Sequence, residues 1–282
     1  MRKNLRLSSF ALHIIALVTM TLDHLAIFLY YNGIYANMTF YLALRIIGRT
    51  AFILYAFFLV HGVIHTKHFG KYLGRLSVLA FIIFISDIIL SSFSISTFEG
   101  NIFFTLLAGA LAIYYFDRKL YKHVYLFIPA IYIIVIDLLN IFDVGVAQSY
   151  FTAMYGTYGL VVIFGFYLAL VLAKKVNVQV SEHSGITVDT LVNSGEYQFL
   201  ENIFSVGSLF IVTVIYFVLS LVWRESDLLN QSIQSYALLA GLPIFLYNGK
   251  RGYTSKGWRI FSYAYYPAHL LIFAIITLLI SS

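Results

Sequence analysis

Apolar runs of membrane length recur along the whole chain, set apart by short polar stretches. The hydrocarbon core of a bilayer is about 30 Å thick and a helix rises about 1.5 Å per residue, so roughly 20 consecutive apolar residues predict a spanning helix. Nine such runs are readable, at 9–31, 46–65, 72–93, 101–116, 123–140, 149–173, 203–223, 234–248 and 261–280. The fourth and eighth are short for a span, which predicts little tilt, a partly re-entrant course or ends that reach further. The fold class this predicts is all-α: a polytopic membrane helix bundle of about nine transmembrane helices, forming one domain over 1–282.

The polar punctuation carries its own pattern. Lysine and arginine collect in every second connection: Arg2, Lys3 and Arg6; Lys67, Lys71 and Arg75; Arg118, Lys119 and Lys122; Lys174 and Lys175; Lys250, Arg251, Lys256 and Arg259. The alternate connections hold little beyond Arg45 and Arg224. Basic loops stay in the cytoplasm, so the alternation predicts a cytoplasmic N-terminus and an outer C-terminus. One span more or fewer would destroy it. The basic start followed by an apolar run resembles a signal peptide. The run nevertheless contains Asp23-His24, lacks a small-x-small cleavage site and is followed by more spans, so it reads as retained. Residues 174–202 are the one long polar stretch and read as a cytoplasmic loop within the domain.

Composition narrows the class further. Of 282 residues, 61% are hydrophobic and 11% charged, and the mean hydropathy is +0.88, which leaves too few charges to surface a soluble multidomain protein. The net charge of +6 sits in alternating loops, so it reports topology and no nucleic-acid partner. The absence of cysteine rules out a disulfide, a thiolate nucleophile and a thiolate metal site.

Against this apolar background, ionisable residues at membrane depth stand out: His13, Asp23, His24, Arg45, Arg49, His61, Asp87, Asp137 and His269. Such groups are costly in hydrocarbon and mark function or paired charge. In the predicted orientation Asp23, His24, Arg45, Arg49, Asp87, Asn101, Thr105, Asp137 and Asn140 converge in the outer half of the membrane. Arg45 and Arg49, four apart, share a helix face. Asp23 and His24 point about 100° apart, and His13 lies about 16 Å below His24 on the same face. Asp23 is therefore expected to pair with Arg45 or Arg49, leaving His24 to face a cavity as a proton-transfer group. The alternative for the aspartates and arginines is a set of ion pairs that tie helices together. On the inner side the turn Tyr247-Asn248-Gly249-Lys250-Arg251-Gly252 offers amides and cations to a phosphate, or is simply a basic loop. His269, beside Pro267 in the last span, is either a second cavity histidine or a packing residue. His61 and His65, four apart, are metal-ligand spaced, but no carboxylate partner accompanies them, and no metal is expected.

The chain resembles a known family at these residues. Ile15-Ala16, Met20 and Asp23-His24 are followed by Arg45-Ile46-Ile47-Gly48-Arg49-Thr50-Ala51-Phe52, Tyr72 with Arg75-Leu76, and Ile85-Ser86-Asp87. Then come Asn101-Ile102-Phe103-Phe104-Thr105-Leu106, Tyr247-Asn248-Gly249-Lys250-Arg251-Gly252 and Tyr266-Pro267-Ala268-His269-Leu270. In this order they resemble the landmarks of the TraX family, which includes the F-pilin acetylation protein and looks like part of a wider group of integral-membrane acyltransferases. Relatives in that group carry a basic residue, ten residues and a catalytic histidine in the first span. Here the spacing is His13, ten residues and His24, with histidine in the basic position. Asp87 stands where the pattern has Glu, and Ile53 where it has Pro.

The resemblance implies transfer of an acyl group, acetyl in the family's chemistry, from cytoplasmic acetyl-CoA to an amine or hydroxyl on the outer side. The expected catalytic set is His24, Asp23, Arg45 and Arg49: His24 as general base, an arginine on the acceptor or the oxyanion, and Asp23 fixing that arginine. Donor binding falls to Asn248, Lys250, Arg251, Arg75 and His269, and acceptor binding to Asp87, Asn101 and Thr105. Direct transfer is favoured, with an acyl-histidine left open. The acceptor is a pilin-like peptide, a glycan or a lipid head group, and the location a bacterial plasma membrane. Two other readings stand beside this one. A proton-coupled transporter would use Asp23, Asp87 and Asp137, though the chain shows no inverted repeat. A noncatalytic assembly factor would use its charges structurally.

Overall fold

The computed structural model describes residues 7–93, 100–141, 152–187, 190–191, 195–222 and 232–281. Among them the chain is helical, with a single isolated bridge between Leu7 and Tyr247. The helices are α1 (Ser9–Tyr31), α2 (Met38–His65), α3 (Phe69–Ser92), α4 (Ile102–Asp117), α5 (Ile128–Ile141), α6 (Gly156–Ser184), α7 (Gly195–Val222), α8 (Gly241–Phe245) and α9 (Lys256–Ser281). A 3-10 turn, Val124–Phe127, leads into α5, and a longer 3-10 stretch, Ser232–Ala240, leads into α8. Among the described residues, six helices are long and apolar enough to cross a membrane: α1, α2, α3, α6, α7 and α9. The remaining apolar helical segments, Ile102–Asp117, Val124–Leu139 and Ile233–Phe245, are shorter.

These nine segments correspond to the nine runs in the sequence, with three differences. α2 begins at Met38, capped by the Asn37 side chain, which accepts from Phe40 N–H at 3.0 Å. Arg45 and Arg49 therefore lie two to three turns inside the helix rather than opening it. The eighth segment is mostly 3-10 helix. Its larger rise, about 2.0 Å per residue, lets Ser232–Phe245 reach about 25 Å despite its few residues. The polar stretch 174–202 is largely helical: α6 continues to Ser184, where Gly185 closes it at φ 70°, and α7 starts at Gly195. The apolar run ends near Ala173, but helical hydrogen bonds carry on past it to Ser184. Asn140, Asp189 and Arg224 lie outside what is described of side chains.

The packing follows membrane logic. α2 is the central helix, packed by α1, α4, α6 and the Ser232–Ala240 stretch. The core between them holds Leu12, Phe52, Ile53, Phe57, Ile163 and Phe166, all fully buried. α3, α7 and α9 carry large apolar side chains outward, including Phe81, Ile211 and Leu279, as lipid-facing helices do. Small residues let helices approach closely: a Cβ at Gly48 would overlap the Asp23 carboxyl, and one at Gly109 would press on Ile163.

Two sets of contacts define the two ends. At one end Leu7 N–H donates to Leu246 O, Asn248 N–H to Leu7 O, Ser9 N–H to Lys250 O and Phe10 N–H to Arg251 O. Buried Asn202, at the start of α7, donates to the carbonyls of Phe245 and Tyr247 at 3.1 and 2.7 Å. The N-terminal segment, the start of α7 and the loop before α9 therefore share one side, as the basic loops require. At the other end Asn101, before α4, exchanges backbone hydrogen bonds with Thr152 and Met154, and Asp137, late in α5, accepts from Thr157 N–H at the start of α6.

Candidate functional site

The site is built where α1 meets α2. Asp23 is 3% exposed and sits between two cations one turn apart on α2. Arg45 Nη1 donates to Asp23 Oδ2 at 2.8 Å, and Arg49 Nη2 donates to Oδ1 and Oδ2 at 2.9 and 3.1 Å. Gly48 makes this possible. It lies on the same face as Arg45 and Arg49, and the missing Cβ leaves the space that the carboxylate occupies. Arg49 is further held by Gln234 Oε1, at 3.1 Å from Nη1, and lies over the Tyr155 ring at 5.3 Å. Arg45 lies near the Tyr41 ring at 5.9 Å. One carboxylate against two guanidiniums leaves this buried cluster with a net positive charge.

His24, also 3% exposed, points to α9 instead. Its Nδ1 lies 2.6 Å from Nε2 of His269, with the two rings parallel to within 3° and their centroids 4.9 Å apart. Tyr266 meets both imidazoles edge-on, at 5.5 Å from His24 and 5.6 Å from His269. One turn nearer the basic loops, Thr21 Oγ1 and Tyr265 Oη share a 2.6 Å hydrogen bond that pins α9 to α1.

Between these two groups lies a narrow pocket with room for little more than a single water molecule. Asp23 and His24 line it together with Gly48, Phe52, Tyr55, Ile102, Met154, Tyr155 and Tyr266 among others. Its far wall is strained. Tyr155 has φ 66° and Gly156 φ 42°, and a tyrosine rarely occupies that region unless the surroundings hold it there. Here stacking on Phe52, with centroids 4.0 Å apart and planes 11° apart, holds it.

The other expected site residues separate by what their polar atoms do. Asn101 donates to Ala80 O and accepts from Phe103 N–H, capping α4, and Thr105 donates to Met154 O. Both hold the cavity wall in place, and their hydrogen-bonding atoms are spent on backbone. Asp87 is half-buried on α3, within electrostatic reach of Tyr266. The two arginines do not line the cavity; they lie behind Asp23. His269 belongs beside His24, not with the basic turn. In that turn Asn248 Oδ1 accepts from Lys250 N–H at 2.9 Å, and much of the backbone pairs with residues 7–10, while Lys250 and Arg251 remain exposed. Arg75 is exposed on α3 at 6.0 Å from the Tyr72 ring and 5.6 Å from that of Tyr263. His13 stacks on Phe58 at 3.8 Å and its Nδ1 donates to Ser9 O at 2.7 Å, away from the cavity. His61 and His65 stack at 5.9 Å on the basic-loop side. Among the described residues no three His, Asp or Glu side chains form a metal-ligand set. The cavity residue Tyr155 and the Arg49 partner Gln234 are not singled out by the sequence, and Tyr266 stands out there only as the start of a motif, with no role. Only the polar start of a short apolar run signals Gln234.

Fold and site together define a polytopic helical membrane protein with an ionisable centre buried inside its bundle. A model of the family described as TraX protein matches residues 8–184. The chain belongs to the TraX family. It is also similar to the Probable fimbrial assembly protein FimC, serogroup H1, of Dichelobacter nodosus, 36% identical over 121 residues, which are 40% of this chain and 48% of that protein. The chain thus spans about half the length of this curated relative. No solved structure matches it.

Proposed function

We propose that this protein is a membrane-bound acetyltransferase. It takes the acetyl group of cytoplasmic acetyl-CoA and passes it to an amine or hydroxyl presented from the outer side of the bacterial plasma membrane. The observation that carries this reading is the buried cavity that holds a histidine and an aspartate side by side, the aspartate locked by two arginines. A histidine there can take a proton from an amine or hydroxyl poised over a thioester. In the reaction the acceptor N or O bonds to the thioester carbonyl carbon while its proton passes to His24. The C–S bond then breaks and the thiolate leaves with that proton. The donor's nucleotide would stay outside this narrow pocket, against exposed Lys250, Arg251 and Arg75. Asp23, neutralised by Arg45 and Arg49, keeps the site's charge fixed. Because the guanidiniums lie behind Asp23, the tyrosines on the cavity wall are the nearer donors for an oxyanion. The similarity to a fimbrial assembly protein and membership of the TraX family support a pilin-like subunit as acceptor.

The test is transfer from labelled acetyl-CoA by the purified protein in nanodiscs, with a pilin-like peptide at the opposite face. Replacing His24 with Ala is expected to lower turnover about 10²- to 10⁴-fold. Undiminished turnover removes His24 as the base.

A further inference from the structure

In four helical histidines, His13, His65, His183 and His269, Nδ1 bonds to the carbonyl four residues earlier, at 2.7 to 2.8 Å. His24 is different: its Nδ1 points across the helix interface to His269. The two hydrogen bonds of His269 then decide the protonation of both rings. A carbonyl oxygen only accepts, so the 2.8 Å contact from His269 Nδ1 to Tyr265 O places a hydrogen on Nδ1. A neutral ring protonated there has its lone pair at Nε2. The atom 2.6 Å away, His24 Nδ1, must therefore carry the hydrogen between them. That in turn places the lone pair of His24 at Nε2.

We infer that His269 is the positioning residue for His24. It fixes the Nδ1–H tautomer, turns Nε2 into the basic atom, and takes up positive charge once that atom is protonated. This inference rests on the reading of His24 as the base. When His24 Nε2 receives the acceptor's proton, the Nδ1 hydrogen can cross the 2.6 Å bond to His269 Nε2. The charge then moves to a ring whose other N–H already rests on the Tyr265 carbonyl. When the thiolate leaves, the same hydrogen returns and Nε2 releases its proton to sulfur. A second proton would set N–H against N–H across that bond, so the pair carries one. A carboxylate orients the base in hydrolase triads. Here a second imidazole has that place, and the Thr21–Tyr265 hydrogen bond and the Tyr266 edge contacts hold it there.

The experiment uses the full-length protein in nanodiscs, labelled with ¹⁵N-histidine. The eight histidines are resolved by assigning to His24 the signals lost in His24→Gln. The expected wild-type spectrum has His24 protonated at Nδ1 and bare at Nε2. His269→Gln keeps a side-chain oxygen that can accept from Nδ1 but takes up no proton, so it should keep this tautomer and turn over more slowly than wild type but faster than His269→Ala. His269→Ala should mix the tautomers and lower kcat about 10²-fold or more with KM for the donor little changed. A wild-type His24 protonated at Nε2 overturns the inference without any variant, as does His269→Ala with unaltered His24 signals. If the tautomer is as expected but no acyl group moves, the acyltransferase reading fails and the positioning of His24 by His269 stands.

Discussion

Replacing Asp23 with Asn is the sharpest perturbation of the buried charge cluster. The carboxylate is acceptor to three charge-assisted hydrogen bonds of 2.8 to 3.1 Å, and Arg49 is only 2% exposed. Asparagine has almost the same shape but no charge and one acceptor oxygen, so the buried net charge rises from +1 to +2. Removing one partner of a buried ion pair costs about 3–5 kcal/mol, because the remaining charge is left in a poor solvent. The variant should lose that much stability, measured as unfolding free energy in a bilayer mimic. The arginines should not suffer equally. Arg49 also donates to Gln234 Oε1 and, from Nε, to the Arg45 carbonyl at 3.4 Å, while Arg45 Nε is buried without a hydrogen-bond partner. Adding Arg45→Met to Asp23→Asn returns the buried charge to +1, so the double variant should be more stable than the sum of the singles by at least about 1 kcal/mol. An Asp23→Asn protein within 1 kcal/mol of wild type, or strict additivity in the cycle, refutes the account.

Gly48→Ala pushes a methyl into the Asp23 carboxyl and should cost about 1–3 kcal/mol. Gly207→Ala in α7, where nothing lies within 4 Å, should gain up to about 1 kcal/mol; equal effects of the two in the same unfolding assay would sink the close-approach argument. Asp137→Asn weakens an acceptor at the start of α6 and should cost about 0.5–1 kcal/mol while leaving acetyl transfer within about twofold. A loss of transfer there would return Asp137 to the functional set.

The alternation of basic loops and the apolar runs made the architecture legible, and α1 has the bounds its sequence predicts. Charge was the misleading sign for α2: Arg45 looks like a helix end, yet Asp23 neutralises it inside the bundle and the helix runs on to Met38. The 3-10 character of Ser232–Ala240 was not legible, since periods of 3 and 3.6 hardly separate over nine residues. The pairing of Asp23 with an arginine followed from helix geometry alone. The pairing of His24 with His269 did not, because it joins residues 245 apart in sequence and depends on which face α9 turns toward α1. Likewise nothing local to Tyr155 announces a positive φ that a stacked Phe52 enforces.

The pairing of residues 7–10 with the loop at 246–251 has a consequence for the other end of the bundle. From Phe10 to His24 the chain climbs fourteen helical residues, about 21 Å, and from Lys256 to His269 thirteen, about 20 Å. The first and last helices thus behave as two arms of nearly equal length clasped at the base, and the imidazoles meet because the arms match. A residue inserted in either arm between the clasp and its histidine would rotate that ring by about 100°. The family match ends at residue 184, so one arm lies within it and the other beyond it, and a truncation that respects the match would remove half of the pair.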